Sequence, residues 1–213
     1  FISQYQEPKK SVNNFSNSRK EDVWGNKPSD AKFESPEKMN AVNLKLLPML
    51  ADYCSENNVR FEICGRSSNY SEELYYKSLI GNKIKNWAFL PKKDIETTYK
   101  MIDQASAIVF IDSTLGFEAL ARKKPVASFS IRGENFDYSS LYNFAFPKKI
   151  PDRGPFWTNH LNEAILNEIL NLVLNVNEGD WKEIYNKYAE EITAYDEGNK
   201  KFKNIMKTLN IAL

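Results

Sequence analysis

The sequence predicts an α/β protein with an open, doubly wound and mostly parallel sheet, followed by C-terminal helices. Two observations support this fold class. Short apolar segments of strand length alternate with longer segments of helical periodicity along most of the 213 residues. One short segment, residues 107–111 (AIVFI), is continuously apolar, as is typical of a strand buried on both faces. Right-handed crossovers would connect such strands, so we expect them to run parallel.

The N-terminal half of the sequence predicts three strands and three helices. The strands are expected at residues 1–5, 59–64 and 87–90. The helices are expected from Ser35 to about Asn57, at residues 71–80 and at residues 94–105. Residues 6–36 are rich in Ser, Asn, Lys and Pro and predict a long loop. Because the chain opens on a strand at Phe1 rather than at Met, we expect it to be part of a longer protein.

The C-terminal half continues the alternation and then becomes helical. Strands are expected at residues 107–111 and 125–131, and helices at 115–122, 161–176 and 181–213, the last interrupted at 196–199. Residues 150–160 contain Pro and Gly and predict a loop. We therefore expect one doubly wound domain over residues 1–176 and a helical segment over residues 177–213, packed on that domain or on a domain that precedes it.

Charge and cysteine content narrow the classes of function. The sequence has 29 Lys and Arg against 28 Asp and Glu, a formal charge of +1, so no general attraction to nucleic acid is expected. Cys54 and Cys64 lack the spacing of a metal site, so we predict no metal. We expect two ordinary buried thiols, which favours the cytoplasm. The apolar runs are far shorter than the ~20 residues that span a bilayer.

The turn from Asp112 to Glu118 is the strongest candidate for a ligand site. In open α/β sheets, ligands bind beyond the carboxyl ends of the strands, and this turn follows the most apolar strand and opens a helix. Free amides and the positive helix end there could hold a phosphate, with hydroxyls from Ser113 and Thr114. Gly116 would allow close approach, and Glu118 could accept from a ribose diol. The alternative interpretation is that Ser113 only caps the helix and Glu118 only complements its dipole.

Two further residues are weaker candidates. Arg66 follows a predicted strand and Gly65, so its guanidinium could reach the same crevice and neutralise phosphate; the alternative is a surface ion pair. His160 is the only histidine, and it lies in a loop before a predicted helix. A solvated or capping role is expected for it, rather than acid–base chemistry.

Residues 112–126 (DSTLGFEALARKKPV) resemble the donor-binding segment of GT-B glycosyltransferases. They are most similar to bacterial surface-carbohydrate and O-antigen enzymes of the kind that includes some Kdo transferases. They are more distantly similar to UDP-GlcNAc 2-epimerases. Residues 154–159 (GPFWTN) look like a second segment typical of the family. The resemblance implies the C-terminal, Rossmann-like half of a GT-B enzyme, without its N-terminal domain.

The resemblance also implies a distribution of roles. Donor phosphate would contact Arg66, Ser113, Thr114, Leu115 and Gly116, ribose would contact Glu118, and the nucleobase pocket would include Leu90 and Pro91. A nucleotide-sugar would be the substrate, a carbohydrate or glycolipid the acceptor, and no cofactor is expected. The catalytic residues stay unassigned, and the whole protein is expected in the cytoplasm, with peripheral association at the inner face of the membrane. An epimerase-like enzyme and a non-catalytic binding or scaffold module are the alternatives.

Overall fold

The computed structural model describes residues 1–7, 36–81, 83–135, 139–193, 196–209 and 211. Nearly all of the predicted loop at residues 6–36 lies outside these ranges. Within them, the chain is an α/β protein with parallel strands and seven α-helices, so the predicted fold class is confirmed. The chain packs as two compact units, one formed by Ser3–Lys93 and the other by Phe1–Ile2 with Asp94–Leu213. We call them the first unit and the second unit.

The first unit has two parallel strands and two helices. The strands are β1 (Phe61–Cys64) and β2 (Trp87–Leu90), and the helices are α1 (Pro36–Glu56) and α2 (Tyr70–Ile80). Phe61 lies opposite Trp87, and the register continues to the end of both strands. Cys54 and Cys64 are buried thiols that are not joined in a disulfide, as expected, and burial raises the pKa of the Cys54 thiol to about 11.

The second unit contains a three-stranded parallel sheet in the order β3, β4, β5. Its strands are β3 (Ile108–Phe110), β4 (Val126–Phe129) and β5 (Trp157–Thr158). Its helices are α3 (Ile95–Gln104), α4 (Thr114–Ala121), α5 (Glu163–Asn175), α6 (Glu178–Tyr188) and α7 (Lys200–Thr208). The predicted interruption at 196–199 is confirmed, because Gly198 and Asn199 take positive φ angles of 64° and 56° immediately before α7.

Strand β5 corrects the prediction of a loop over residues 150–160. Trp157 and Thr158 pair with Ser128 and Phe129 of β4. The turn before β5 needs a glycine, because a Cβ atom on Gly154 would lie 2.0 Å from the Trp157 ring. Two residues shortly after Gly154 and Pro155 are too few to show strand periodicity, although an aromatic beside a β-branched residue was a usable signal.

The predicted strand at residues 1–5 is much shorter in the structure. Only Ile2 forms a β-bridge, and its amide donates to the carbonyl of Val109 at 2.8 Å. Residues 1–5 therefore contact β3 through a single bridge and do not form a further strand of the sheet.

Helix α6 is anchored to the rest of the second unit by aromatic side chains. The indole of Trp181 packs against Phe156 with 5.5 Å between ring centroids, and its Nε1 donates to the carbonyl of Lys123 at 2.8 Å. Tyr188 contacts Trp157 edge-on at 5.7 Å. The predicted boundary between residues 176 and 177 stays a prediction. None of the described helices combines the length and the apolar composition that crossing a bilayer requires.

Candidate functional site

The carboxyl ends of β3, β4 and β5 lie at one edge of the sheet, because the three strands are parallel. This edge carries most of the buried polar side chains of the second unit. They are Ser128, Ser130, Arg132, Thr158 and Asn159. Burying a polar group costs free energy unless the group is hydrogen-bonded. Five buried polar side chains at one edge therefore distinguish it from the apolar core.

Arg132 forms the central ion pair of this edge. It follows β4, its side chain is 1% exposed, and its Nε and Nη2 donate to the two carboxylate oxygens of Asp112 at 2.6 and 3.2 Å. Two parallel bonds of this kind fix orientation as well as distance. The pair therefore ties the residue that opens the β3–α4 turn to the segment after β4. Sequence reasoning placed Arg132 in a turn that follows a predicted strand but gave it no role in the site.

The N-terminus of α4 differs from the capped helix that was the alternative interpretation. Ser113 is the N-cap, with φ −71° and ψ 132°, but its side chain makes no capping hydrogen bond. Its carbonyl accepts from the amides of Gly116 and Phe117 at 2.9 and 3.3 Å. In the described part of the chain, no acceptor contacts the amides of Thr114 and Leu115. Two donors thus lie unused at the positive end of the helix.

Four other helices of the protein are capped by the side chain of their N-cap residue. The capping residues, each with an oxygen that accepts from an amide of the first turn, are Asn69, Asp94, Asn162 and Asn177. An acidic or amide side chain at position 113 would do the same. Serine leaves the hydroxyl and the amides available to an external acceptor.

Gly116 allows a close approach, as the sequence predicted, and in the structure this approach is between helix α4 and the Phe110 ring of β3. A Cβ atom at this position would lie 2.2 Å from the Phe110 ring, so only glycine lets α4 pack this closely on β3. The glycine is buried, and its amide is bonded to Ser113. Its role in phosphate binding stays a prediction.

Glu118 is exposed on α4 and is oriented by Tyr99 of α3. The Tyr99 hydroxyl donates to Glu118 Oε2 at 2.5 Å. This hydrogen bond raises the pKa of Tyr99 above its ordinary value, with burial as a smaller cause. The ribose role of Glu118 stays a prediction. Tyr99 was missed because it lies 19 residues away in sequence.

Arg66 lies in the first unit, and its turn is filled by a carboxylate of the protein itself. Glu72 of α2 is fully buried and accepts from the amides of Arg66 and Ser67 at 2.9 and 3.0 Å. The amides of Arg66 and Ser67 are therefore already bonded, and the Arg66 guanidinium is left to contact a ligand. The Arg66 side chain is exposed, and Nη1 donates to the carbonyl of Tyr5 at 3.4 Å. Its phosphate role stays a prediction.

Leu90 and Pro91 also belong to the first unit, at the end of β2. Both are half-buried, and the Leu90 carbonyl accepts from the Gly65 amide at 2.8 Å. The Leu90 carbonyl therefore already accepts one hydrogen bond from the protein itself. The nucleobase role of the two residues stays a prediction.

His160 follows β5 and is solvent-exposed, as expected. Its Nδ1 lies 3.8 Å from Glu134 Oε1, and its Nε2 lies 3.9 Å from Asp152 Oδ2. Both distances exceed that of a hydrogen bond, so the imidazole lies near two carboxylates but is hydrogen-bonded to neither. The described residues hold no group of three or more His, Cys, Asp or Glu side chains arranged to bind a metal ion.

The fold and the polar sheet edge define an open α/β protein with a turn-and-helix site on its second unit. The chain belongs to a family described as "putative O-antigen biosynthesis protein", whose family model matches residues 1–210. The relation to O-antigen biosynthesis that the resemblance implied is thereby confirmed at the level of the family. No curated protein and no solved structure matches the chain.

Proposed function

We propose that this chain is the donor-binding part of a glycosyltransferase that moves a sugar from a nucleotide-activated donor to an O-antigen precursor. The observation that carries the proposal is the N-terminus of α4, where the amides of Thr114 and Leu115 and the hydroxyl of Ser113 are available. Phosphate groups bind at such helix ends because the donors and the helix dipole both favour an anion.

The proposed chemistry needs little acid–base machinery from this part of the protein. When the glycosidic bond to the nucleotide breaks, negative charge develops on the departing phosphate oxygens. Preorganised amide donors stabilise charge that develops in the transition state, at no cost of reorganisation. In this proposal, the amides of Thr114 and Leu115 donate to the departing phosphate. Residues outside this site activate the acceptor nucleophile.

Asp112 and Arg132 support this proposal as positioning residues. Their buried ion pair holds the backbone that enters α4, so the amide donors are aimed before any ligand binds. Rigid placement of this kind is what a phosphate-binding turn requires. Glu118, held by Tyr99 through one carboxylate oxygen, keeps its second oxygen for a ribose diol.

Calorimetric titration with CMP, UDP, GDP and ADP tests the proposal, with Thr114→Pro as the main variant. Thr114 is the first residue of α4, where proline is well tolerated, and the exchange deletes one amide donor without breaking the helix. We expect saturable binding of one nucleotide by the natural chain. The variant should weaken that binding about tenfold or more, equivalent to about 1.4 kcal/mol.

Glu163→Pro is the matched control, because Glu163 is the first residue of α5 and also follows an extended N-cap residue. It should leave nucleotide binding unchanged. Equal losses in both variants would place the nucleotide elsewhere on the protein. A folded natural chain that binds none of the four nucleotides would overturn the proposal.

A further inference from the structure

Helix α7 presents large apolar side chains to solvent. Phe202, Ile205 and Leu209, the last just beyond the helix end, are 50%, 57% and 60% exposed. They recur at the spacing of one helix face, with the half-buried Met206 beside them. We call these four residues the apolar stripe. No residue of α7 is buried, so the described residues of its own unit leave most of this stripe exposed.

The rest of α7 is basic. Residues 200–211 contain four lysines and no acidic residue, although the whole chain has nearly balanced charge. Lys201 and Lys203 border the apolar stripe on either side, and Lys200 and Lys207 lie on the opposite face, as follows from 100° per residue. The whole chain carries only one more basic than acidic residue, so the remainder has an acidic excess. The positive charge is therefore concentrated at this helix.

Helix α7 is stabilised at its N-terminus by residues of the same chain. The Asp196 carboxylate accepts from the amides of Lys201 and Phe202 at 2.9 and 3.0 Å. Gly198 and Asn199 reverse the chain before it in the left-handed region. An amphipathic helix that is already formed loses less conformational entropy when it binds a surface.

We propose that α7 binds the surface of an anionic lipid bilayer. The apolar stripe would enter the boundary between headgroups and acyl chains, while the lysines contact anionic headgroups. Lys201 and Lys203 can extend from the borders of the stripe to the headgroups while their methylene stems stay apolar. A protein groove would need acidic groups along both rims to match this pattern, whereas a bilayer supplies anions on every side. The inference does not depend on the proposed nucleotide site.

Flotation of the full chain with two kinds of vesicle tests the inference. One kind contains phosphatidylcholine alone, and the other contains phosphatidylcholine with phosphatidylglycerol. We expect binding to the second kind, weakened by salt, and little binding to the first. Phe202→Asp and Ile205→Asp should each weaken binding about tenfold or more, because a charge enters the apolar stripe.

Leu141→Asp is the matched control, since Leu141 is 51% exposed in the same unit but lies outside α7. It should leave vesicle binding unchanged, and circular dichroism should show that all three variants fold. Failure of the natural chain to bind phosphatidylglycerol vesicles would overturn the inference. So would equal loss in the Leu141 variant, or a concentration-dependent dimer that Phe202→Asp abolishes while vesicles stay unbound.

Discussion

At the scale of single residues, two arginine–aspartate pairs of the second unit differ sharply in environment. Arg132 is almost fully buried against Asp112, whereas Arg122 and Asp103 are joined at 2.6 Å with side chains 31% and 50% exposed. Removing one member of a buried pair leaves an uncompensated charge, whereas an exposed pair is screened by water. The two pairs should therefore respond very differently to the same substitution.

We predict that Asp112→Asn lowers the free energy of unfolding by about 3–5 kcal/mol, because it removes the negative charge that the buried Arg132 guanidinium contacts through Nε and Nη2. Asp103→Asn should cost less than about 1 kcal/mol. Urea denaturation of both variants measures the difference. Similar losses in the two variants would show that burial does not set the strength of the Asp112 pair.

At the scale of elements, side chains that bond the amides of the first turn determine where a helix begins. Asp196 is an unusual case, because it lies before the short helical turn Glu197–Asn199 and yet accepts from two amides of α7. Those amide bonds, first that of Lys201 and then that of Phe202, lower the pKa of the Asp196 carboxyl below its ordinary value. The ionised carboxylate therefore stabilises the start of α7.

The sign of this shift gives a pH prediction. Because the pKa is lowered in the folded chain, the stabilisation is present above the ordinary pKa of aspartate and is lost as the pH falls through the lowered value. We expect amide protection of Lys201 and Phe202 in hydrogen exchange to fall in that acidic range. Asp196→Asn should reduce it at neutral pH as well, since an amide oxygen is a weaker acceptor.

Glu197→Gln is the control for this prediction, because Glu197 contacts only the exposed Lys200 at 3.6 Å among the ion pairs of the described chain. It should leave the protection of both amides unchanged. Protection that is independent of pH in the natural chain would contradict a capping role for Asp196.

At the scale of the whole molecule, the distribution of charge matters more than its sum. The chain is nearly neutral overall, with a sequence isoelectric point of about 7.8, yet four lysines lie together on α7. Net charge governs solubility, whereas a local basic patch beside apolar side chains governs binding to a charged surface.

Two quadruple variants separate these effects. Replacing Lys200, Lys201, Lys203 and Lys207 with Gln should move the isoelectric point to the acidic side of neutrality and abolish binding to phosphatidylglycerol vesicles. Replacing the exposed residues Lys77, Lys85, Lys92 and Lys93 with Gln should shift the isoelectric point equally but preserve vesicle binding. Isoelectric focusing and flotation measure the two properties. Equal loss of binding would mean that net charge, not α7, controls it.

Most elements could be predicted because their signals are local. Strand β2 was predicted at its observed bounds, and helices α1 to α5 lie within a few residues of theirs. Helix α6 corrects the prediction, because it ends at Tyr188, whereas the sequence predicted helix up to the interruption at residue 196. Strand β5 was missed because two residues carry no periodicity, and its place beside β4 depends on a tertiary contact. Turn chemistry was predicted in part: the sequence indicated that Ser113 starts a helix, but not that its hydroxyl leaves that helix uncapped.

The sequence by itself determined the α/β class, the alternation of elements, the break before α7 and the turn at residues 112–118. These follow from hydrophobic periodicity, glycine and capping residues, which act over a few neighbouring positions. Only the tertiary structure decided that Arg132 is buried against Asp112, that Tyr99 holds Glu118 and that most of the apolar stripe of α7 stays exposed. Each depends on which distant residues the packed elements bring within contact distance, and no local pattern encodes that.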